Sequence, residues 1–176
     1  MAAMAFGFVS GLSPFDPATP VNSPTAPPFR PIDPARRLEL HLASHTVELS
    51  RARKAIEQFA ASQGFDETAQ AQIGLCVNEA MANVIRHAYS GVTGKPILVI
   101  AETPVAPGAV QNEPGSVLKI TIRDWGNGQN PAALPPKPYN PLEPGGVGLI
   151  CLRGLMNEVT YTPQPDGMLL TMLKRK

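Results

Sequence analysis

Three short segments of this chain combine residue types that suit phosphate chemistry. The first, residues 78–88, carries Glu79, Asn83 and His87 at positions i, i+4 and i+8. On a helix this spacing forms one polar stripe, and the apolar residues between them can face a core. A carboxylate can accept a proton, and an amide oxygen one turn away is a suitable ligand for Mg²⁺. The first segment therefore predicts a site for metal binding and proton transfer.

The other two segments are rich in glycine. Asp124 ends an alternating apolar run and is followed by Gly126 and Gly128, so an acceptor stands at a strand end where the backbone can approach a flat ligand closely. This pattern predicts a corner that recognises a base. Residues 145–149 read Gly-Gly-Val-Gly-Leu at the start of a predicted helix, where free N–H groups and the positive end of the helix dipole favour phosphate. In this order, the three segments predict an ATP pocket.

The same residues resemble the Bergerat-fold, or GHKL, ATPases, whose members share an N-box helix, a D-x-G-x-G turn and a second glycine box. The resemblance is closest to the stand-alone anti-sigma-factor serine kinases. In that branch the N-box reads roughly E-A-x-x-N-x-x-x-H-A, and residues 79–88 match it at every specified position. The resemblance covers about residues 37–176, and we call residues 78–88 the N-box segment below.

The resemblance implies a serine/threonine protein kinase that uses ATP and Mg²⁺. Its substrate would be a small anti-anti-sigma (STAS-type) protein, and it would bind and regulate a sigma factor as a homodimer. Glu79 would be the catalytic base, Asn83 would ligate Mg²⁺, and Asp124 would accept a hydrogen bond from the adenine amino group. The residues expected to contact the nucleotide are Asn83, Arg86, His87, Asp124, Gly126, Gly128, Gly146, Val147, Gly148 and Leu149.

Other functions fit the same motifs. A histidine-kinase catalytic domain shares this pocket, but no helix with a phosphoacceptor histidine fits before residue 37, so it would need a separate partner chain. A binding module could use nucleotide only to set its shape and inhibit a sigma factor without transfer. A switch kinase that activates a phosphatase is indistinguishable by these motifs. One departure concerns the adenine: many relatives carry threonine after the glycine of the final hairpin, and here Met168 follows Gly167.

Composition limits where such a protein can act. The net charge is only +1 at pH 7, and there is no dense Lys/Arg cluster before the last three residues, so we expect no nucleic-acid contact. No apolar run approaches the roughly 18 residues that a membrane span needs. Cys76 and Cys151 each fall in an apolar helical pattern, which favours reduced core thiols over a disulfide or a metal site. We therefore expect a cytoplasmic protein.

The elements that position the three segments follow from periodicity. Residues 1–35 are proline-rich and are expected to be a disordered tail, and residues 36–176 are expected to be one domain, a histidine-kinase-like ATP-binding domain. The fold class expected is α/β (α+β): a two-layer sandwich with helices on one face of a mixed or antiparallel sheet.

The pattern predicts a strand from residue 37, a helix over 46–62 capped by residues 44–46, and a long helix capped by Asp66 that ends near 90–91. The remaining elements are a hairpin of strands 96–103 and 117–123, a proline-rich lid over 129–144, a helix over 147–157, and a closing hairpin of strands 158–163 and 168–174.

Overall fold

We analysed a computed structural model of the protein, which describes residues 34–104, 116–128 and 147–176. The described residues belong to one compact unit. The predicted lid, Gly146 and nearly all of the predicted tail lie outside them. The exception in the tail is the short 3-10 turn Pro34–Arg36, whose last carbonyl accepts a hydrogen bond from Thr103 N at 3.0 Å. Ordered chain therefore begins no later than residue 34, two residues before the expected domain boundary.

The first two helices lie where the sequence predicts them. Helix α1 is Thr46–Ser62 and helix α2 is Glu67–Asn83. Asp66 caps α2 as predicted, because its Oδ1 accepts a hydrogen bond from Ala69 N at 2.7 Å and so satisfies one of the free N–H groups of the first turn.

The predicted capping of α1 by residues 44–46 is wrong. No side chain caps this helix at His45. Ser44 is buried, and its hydroxyl donates to Val92 O at 2.7 Å and accepts from Lys95 N at 2.9 Å. The Ser44 side chain therefore binds the segment that leads into the second strand, and it does not cap the helix.

The winding of the N-box segment changes after Asn83. Val84–Ala88 forms a turn of π-helix, closed by a 3.0 Å hydrogen bond from Tyr89 N to Val84 O. The helical path ends close to residues 90–91 as predicted, but it is not a uniform α-helix. Single π-turns of this kind occur frequently at functional sites, and this one forms the last five residues of the N-box segment, directly after Asn83.

Five strands form one antiparallel sheet. They are β1 Arg37–Ala43, β2 Pro96–Glu102, β3 Val117–Asp124, β4 Glu158–Gln164 and β5 Gly167–Arg175. Their spatial order is β1-β2-β3-β5-β4, and every pairing between described strands is antiparallel. The two predicted hairpins are present, and of the two sheet types expected the antiparallel one is found. Helix α3, Val147–Leu155, precedes β4 and ends two residues earlier than predicted.

The core lies between the helices and one face of the sheet. Alternate residues of β2 and β3 are buried while their neighbours are half-buried or exposed, as expected for strands covered on one side. The predicted core residues Ile73, Val77 and Met81 on α2 and Val84 in the π-turn are all buried. The α+β sandwich expected from the sequence is therefore confirmed. In the described part of the chain, no helix is long and apolar enough to span a bilayer.

Candidate functional site

The centre of the candidate site is the exposed edge of α2. The Glu79 side chain is 26% exposed, so it packs partly against the protein and is still accessible to solvent. Arg86 Nη2 donates to Asn83 Oδ1 at 3.2 Å and lies 4.0 Å from Glu79 Oε2. The structure thus brings three of the predicted residues together, a carboxylate, an amide and a guanidinium. Such a group can handle both a proton and a phosphate.

The start of α3 lies against the same edge of α2. A Cβ atom on Gly148 would be 2.8 Å from Glu79 Oε2 and 3.4 Å from Asn83 Nδ2. Only glycine gives this approach without moving the Glu79 carboxylate, and Gly148 itself is buried. The free N–H groups of the first turn of α3 therefore begin beside Glu79 and Asn83, which is the arrangement that favours an anion.

Further contacts along α2 and α3 hold the two helices close to each other. Cys76 Sγ lies 3.8 Å from Cys151 O. Lys174 Nζ, from β5, donates to Gln72 Oε1 at 2.6 Å and to Leu155 O at 2.8 Å. The N-terminus of α3 is consequently held in place by contacts at its middle and at its end.

Asp124 forms the second part of the site, at the end of β3. The residue is 4% exposed, and one of its oxygens, Oδ1, accepts a hydrogen bond from Gly126 N at 2.9 Å. Burial raises the pKa of this carboxyl group, and the N–H of Gly126, the charge of Arg123 and the N–H of Met168 partly oppose that rise. A buried carboxylate of this kind is a strong acceptor for an N–H donor such as an amino group on a heterocycle.

Two glycines and a tyrosine join Asp124 to the N-box segment. A Cβ on Gly126 would collide with the backbone carbonyl of Ala88, and a Cβ on Gly128 would lie 2.9 Å from Ala88 Cα. The hydroxyl of buried Tyr89 accepts from Trp125 N at 2.8 Å and donates to Pro96 O at 2.5 Å. The glycine turn after Asp124 is therefore seated directly on the end of the N-box segment.

Tyr89 and Arg123 are residues that the sequence analysis missed. Arg123 donates to Asp124 O, to Met168 O and to the Asp166 carboxylate, and its guanidinium lies 4.8 Å from the centre of the Trp125 ring. It ties the turn between β4 and β5 to the Asp124 corner. A tyrosine directly after the N-box and an arginine inside an apolar strand were the available signals.

Met168 stands at the position where the family resemblance led us to expect threonine. It pairs with Asp124 in the register between β3 and β5, and paired residues of antiparallel strands project to the same face. The thioether thus stands on the face of the sheet where Asp124 is buried, and it brings no hydroxyl to that corner.

The remaining predicted site residues are less constrained. The side chain of His87 is exposed, and it forms no hydrogen bond with any residue that the structure describes. Leu149 is half-buried in the first turn of α3, and Val147 begins that helix. The side chain of Val147 and the whole of Gly146 lie outside the described residues. The nucleotide contacts expected of these four residues stay predictions, as do those expected of the rest of the site.

A profile of the "Histidine kinase-like ATPase domain" family matches residues 42–174. The chain belongs to the histidine kinase-like ATPase domain family. The resemblance to GHKL ATPases is thereby confirmed. The search of curated proteins found no match to this chain.

Two solved structures resemble this histidine kinase-like ATPase domain, and the first of them supports its fold. One is described as the RsbU and RsbW domains of Rv1364c from Mycobacterium tuberculosis; it shares 18% sequence identity with a TM-score of 0.53, and the match covers 79% of this chain and 32% of that one. Another is the histidine kinase domain of a blue-light activated histidine kinase from Erythrobacter litoralis EL346, with 20% identity, a TM-score of 0.43 and coverage of 74% and 60%. This chain thus spans about a third and three fifths of the two matched chains.

The described residues of this histidine kinase-like ATPase domain fit a nucleotide with Mg²⁺. Gly126 and Gly128 let the turn after β3 pack on Ala88, and Gly148 brings the start of α3 beside Glu79 and Asn83, while Asp124 supplies a buried acceptor. Among the described residues, no group of three or more His, Cys, Asp or Glu could hold a metal ion on its own. A hard cation at Asn83 would therefore take most of its oxygen ligands from phosphate and water, as Mg²⁺ commonly does.

Proposed function

We propose that this chain is an ATP-dependent serine/threonine protein kinase of the anti-sigma-factor type. The observation that carries the proposal is the position of Glu79. Its carboxylate lies beside Gly148 at the start of α3 and one helical turn from Asn83, at a half-exposed edge that a protein substrate could reach. A domain that only bound nucleotide would have no need of a base at that point.

Each residue of the site has a separate task in this proposal. Asp124 would accept a hydrogen bond from the adenine amino group, Asn83 Oδ1 would ligate Mg²⁺, and the N–H groups at the start of α3 would donate to phosphate oxygens. Bound Mg·ATP supplies the phosphoryl group and the cation that neutralises its charge. Glu79 takes the proton from the acceptor hydroxyl as the hydroxyl oxygen bonds to the γ-phosphorus and ADP leaves. Catalysis of this type depends mainly on positioning and charge neutralisation.

The proposed partners follow from the N-box resemblance. The substrate would be a small anti-anti-sigma protein of the STAS type, phosphorylated on serine or threonine, and the domain would bind a sigma factor as a homodimer in the cytoplasm. Phosphorylation of the substrate would decide which of the two partners is bound.

The chemistry of the product tests this proposal against its alternatives. Purified chain is incubated with Mg²⁺, γ-labelled ATP and candidate anti-anti-sigma proteins, and the labelled product is then treated with acid. Label that survives acid and is recovered as phosphoserine or phosphothreonine is the expected result.

Two other results would contradict it. Acid-labile label on a histidine of a separate chain would indicate a histidine-kinase catalytic domain. Nucleotide binding with no transfer to any candidate, together with nucleotide-dependent binding of a sigma factor, would indicate a gated binding module.

A further inference from the structure

Arg86 approaches three polar groups at the candidate site. Its Nη2 donates to Asn83 Oδ1 at 3.2 Å, and its Nε donates to Ala82 O at 3.3 Å. The same Nη2 lies 4.0 Å from Glu79 Oε2. One guanidinium is thus within reach of the carboxylate, the amide oxygen and a backbone carbonyl.

The amide oxygen contacted by Arg86 is the one that would ligate a metal ion. An amide oxygen offers the same lone pairs to a guanidinium N–H and to a hard cation. Asn83 has one such oxygen, and Arg86 approaches it from the surface side of α2. That oxygen has two lone pairs, but a guanidinium and a metal ion that share it repel each other as like charges, so each disfavours binding of the other at Asn83 Oδ1.

We propose that Arg86 is an internal counter-cation that holds Asn83 in the metal-free state and releases it when Mg²⁺ arrives with the nucleotide. This inference rests on the proposed function, since it concerns the same site. Arg86 is then a positioning residue that sets the Mg²⁺ requirement of nucleotide binding. It differs from the direct nucleotide contact expected of Arg86 from the sequence.

Arg86 can break its hydrogen bond to Asn83 without disturbing the helix. Its side chain is 55% exposed, so the guanidinium can turn into solvent. The same movement gives up the bond from Nε to Ala82 O and the approach of Nη2 to Glu79 Oε2.

Arg86→Ala tests the competition directly. Binding of a non-hydrolysable ATP analogue is measured over a range of free Mg²⁺ concentrations. Trp125 is a suitable fluorescent reporter, because it is the only tryptophan of the chain and directly follows Asp124. The ion pair is exposed, so we expect the Mg²⁺ concentration at half-maximal binding to fall by roughly two- to fivefold in Arg86→Ala.

Two further variants control for the loss of charge. Arg51→Ala removes another exposed arginine, which pairs with Glu48 on α1, and it is expected to leave the Mg²⁺ midpoint unchanged. Arg86→Lys keeps the charge but cannot contact Ala82 O and Asn83 Oδ1 through one planar fork. Its midpoint is expected to lie between those of the wild type and Arg86→Ala.

Three results would count against the inference. An unchanged Mg²⁺ midpoint in Arg86→Ala would show that Arg86 does not compete with the cation. Weaker analogue binding at saturating Mg²⁺ would show that Arg86 contacts the nucleotide itself. Failure of the wild-type chain to bind the analogue at any Mg²⁺ concentration would contradict the proposed function as well, and this result is distinguishable from the other two.

Discussion

Asp124 shows how a single functional residue can lower the stability of the fold. Its carboxylate is buried, and burial raises its pKa in the folded state. A raised pKa means that the folded protein prefers the protonated group, so the stabilising contribution is present at low pH and is lost as the pH rises through the folded pKa. At pH 7 the ionised carboxylate is therefore a cost that its role in binding would explain.

Asp124→Asn should separate stability from binding. Asparagine keeps an oxygen for Gly126 N and removes the buried charge, so the free energy of unfolding at pH 7 should increase, and this gain should shrink as the pH is lowered. The affinity for ATP should fall by about ten- to a hundredfold, because a hydrogen bond to a charged acceptor is lost. Thermal unfolding between pH 4 and pH 7 and calorimetric ATP titrations measure the two effects. A variant that binds ATP as well as the wild type would exclude Asp124 from base recognition.

At the scale of single residues, the sequence was sufficient to predict those whose side-chain type indicates a chemical role. Glu79, Asn83 and Asp124 were found because their carboxylate and amide groups stand in fixed spacings to one another or to glycine. Tyr89 and Arg123 act through partners distant in the chain, 36 residues away for Trp125 and 43 for Asp166. Local spacing carries no information about such pairs.

The elements of the site meet at glycines, where there is no room for a side chain. Gly126 and Gly128 seat the turn after β3 on Ala88, and Gly148 seats α3 on the edge of α2. Because interiors are closely packed, an added methyl group at these positions must displace backbone or the Glu79 carboxylate. The relative placement of the Asp124 turn and the start of α3 thus depends on a few glycines.

A pair of alanine substitutions tests this dependence. At Gly126 a Cβ would collide with the Ala88 carbonyl, so Gly126→Ala should destabilise the protein by about 1–3 kcal/mol and weaken ATP binding. Gly154, in α3, has no atom within 4 Å of such a Cβ, and Gly154→Ala should stabilise by about 0.5–1 kcal/mol because alanine loses less backbone entropy. Denaturant unfolding gives both values. Equal effects at the two positions would contradict the glycine contact.

The structure also shows which features of the elements were beyond sequence reasoning. The bounds of α1 and the cap of α2 were predicted because they follow from local periodicity and from Asp66. The π-turn at Val84–Ala88 was not, since both windings place Val84 and Ile85 in an apolar environment and the choice depends on surrounding packing. The capping predicted for α1 failed because Ser44 is drawn to Val92 and Lys95, about 50 residues away in the sequence.

At the scale of the whole molecule, the core between sheet and helices protects Cys76. Burial raises the pKa of this thiol to about 11. Only about one molecule in a thousand would then carry the thiolate at pH 8, and the thiolate is the reactive form. The folded protein should therefore shield Cys76 from thiol reagents until it opens.

Thiol labelling of Cys151→Ala measures that opening. With Cys76 as the remaining thiol, labelling at pH 8 should be slow in native buffer and should accelerate with denaturant in parallel with unfolding. Cys76→Ala, which keeps the half-buried Cys151, is the matched control and should be labelled faster under native conditions. Rapid labelling of Cys76 in native buffer would contradict the packing of α2 against α3.

The role of Glu79 is the central claim about the whole molecule, and Glu79→Gln tests it most directly. Glutamine keeps the size and polarity of the side chain but cannot accept the proton of the acceptor hydroxyl. ATP affinity and single-turnover transfer to the identified protein substrate are measured on the same preparation. We predict an ATP affinity close to that of the wild type and a transfer rate lowered by at least about a hundredfold, as expected when a general base is removed. Transfer at the wild-type rate by Glu79→Gln would show that Glu79 is not the base.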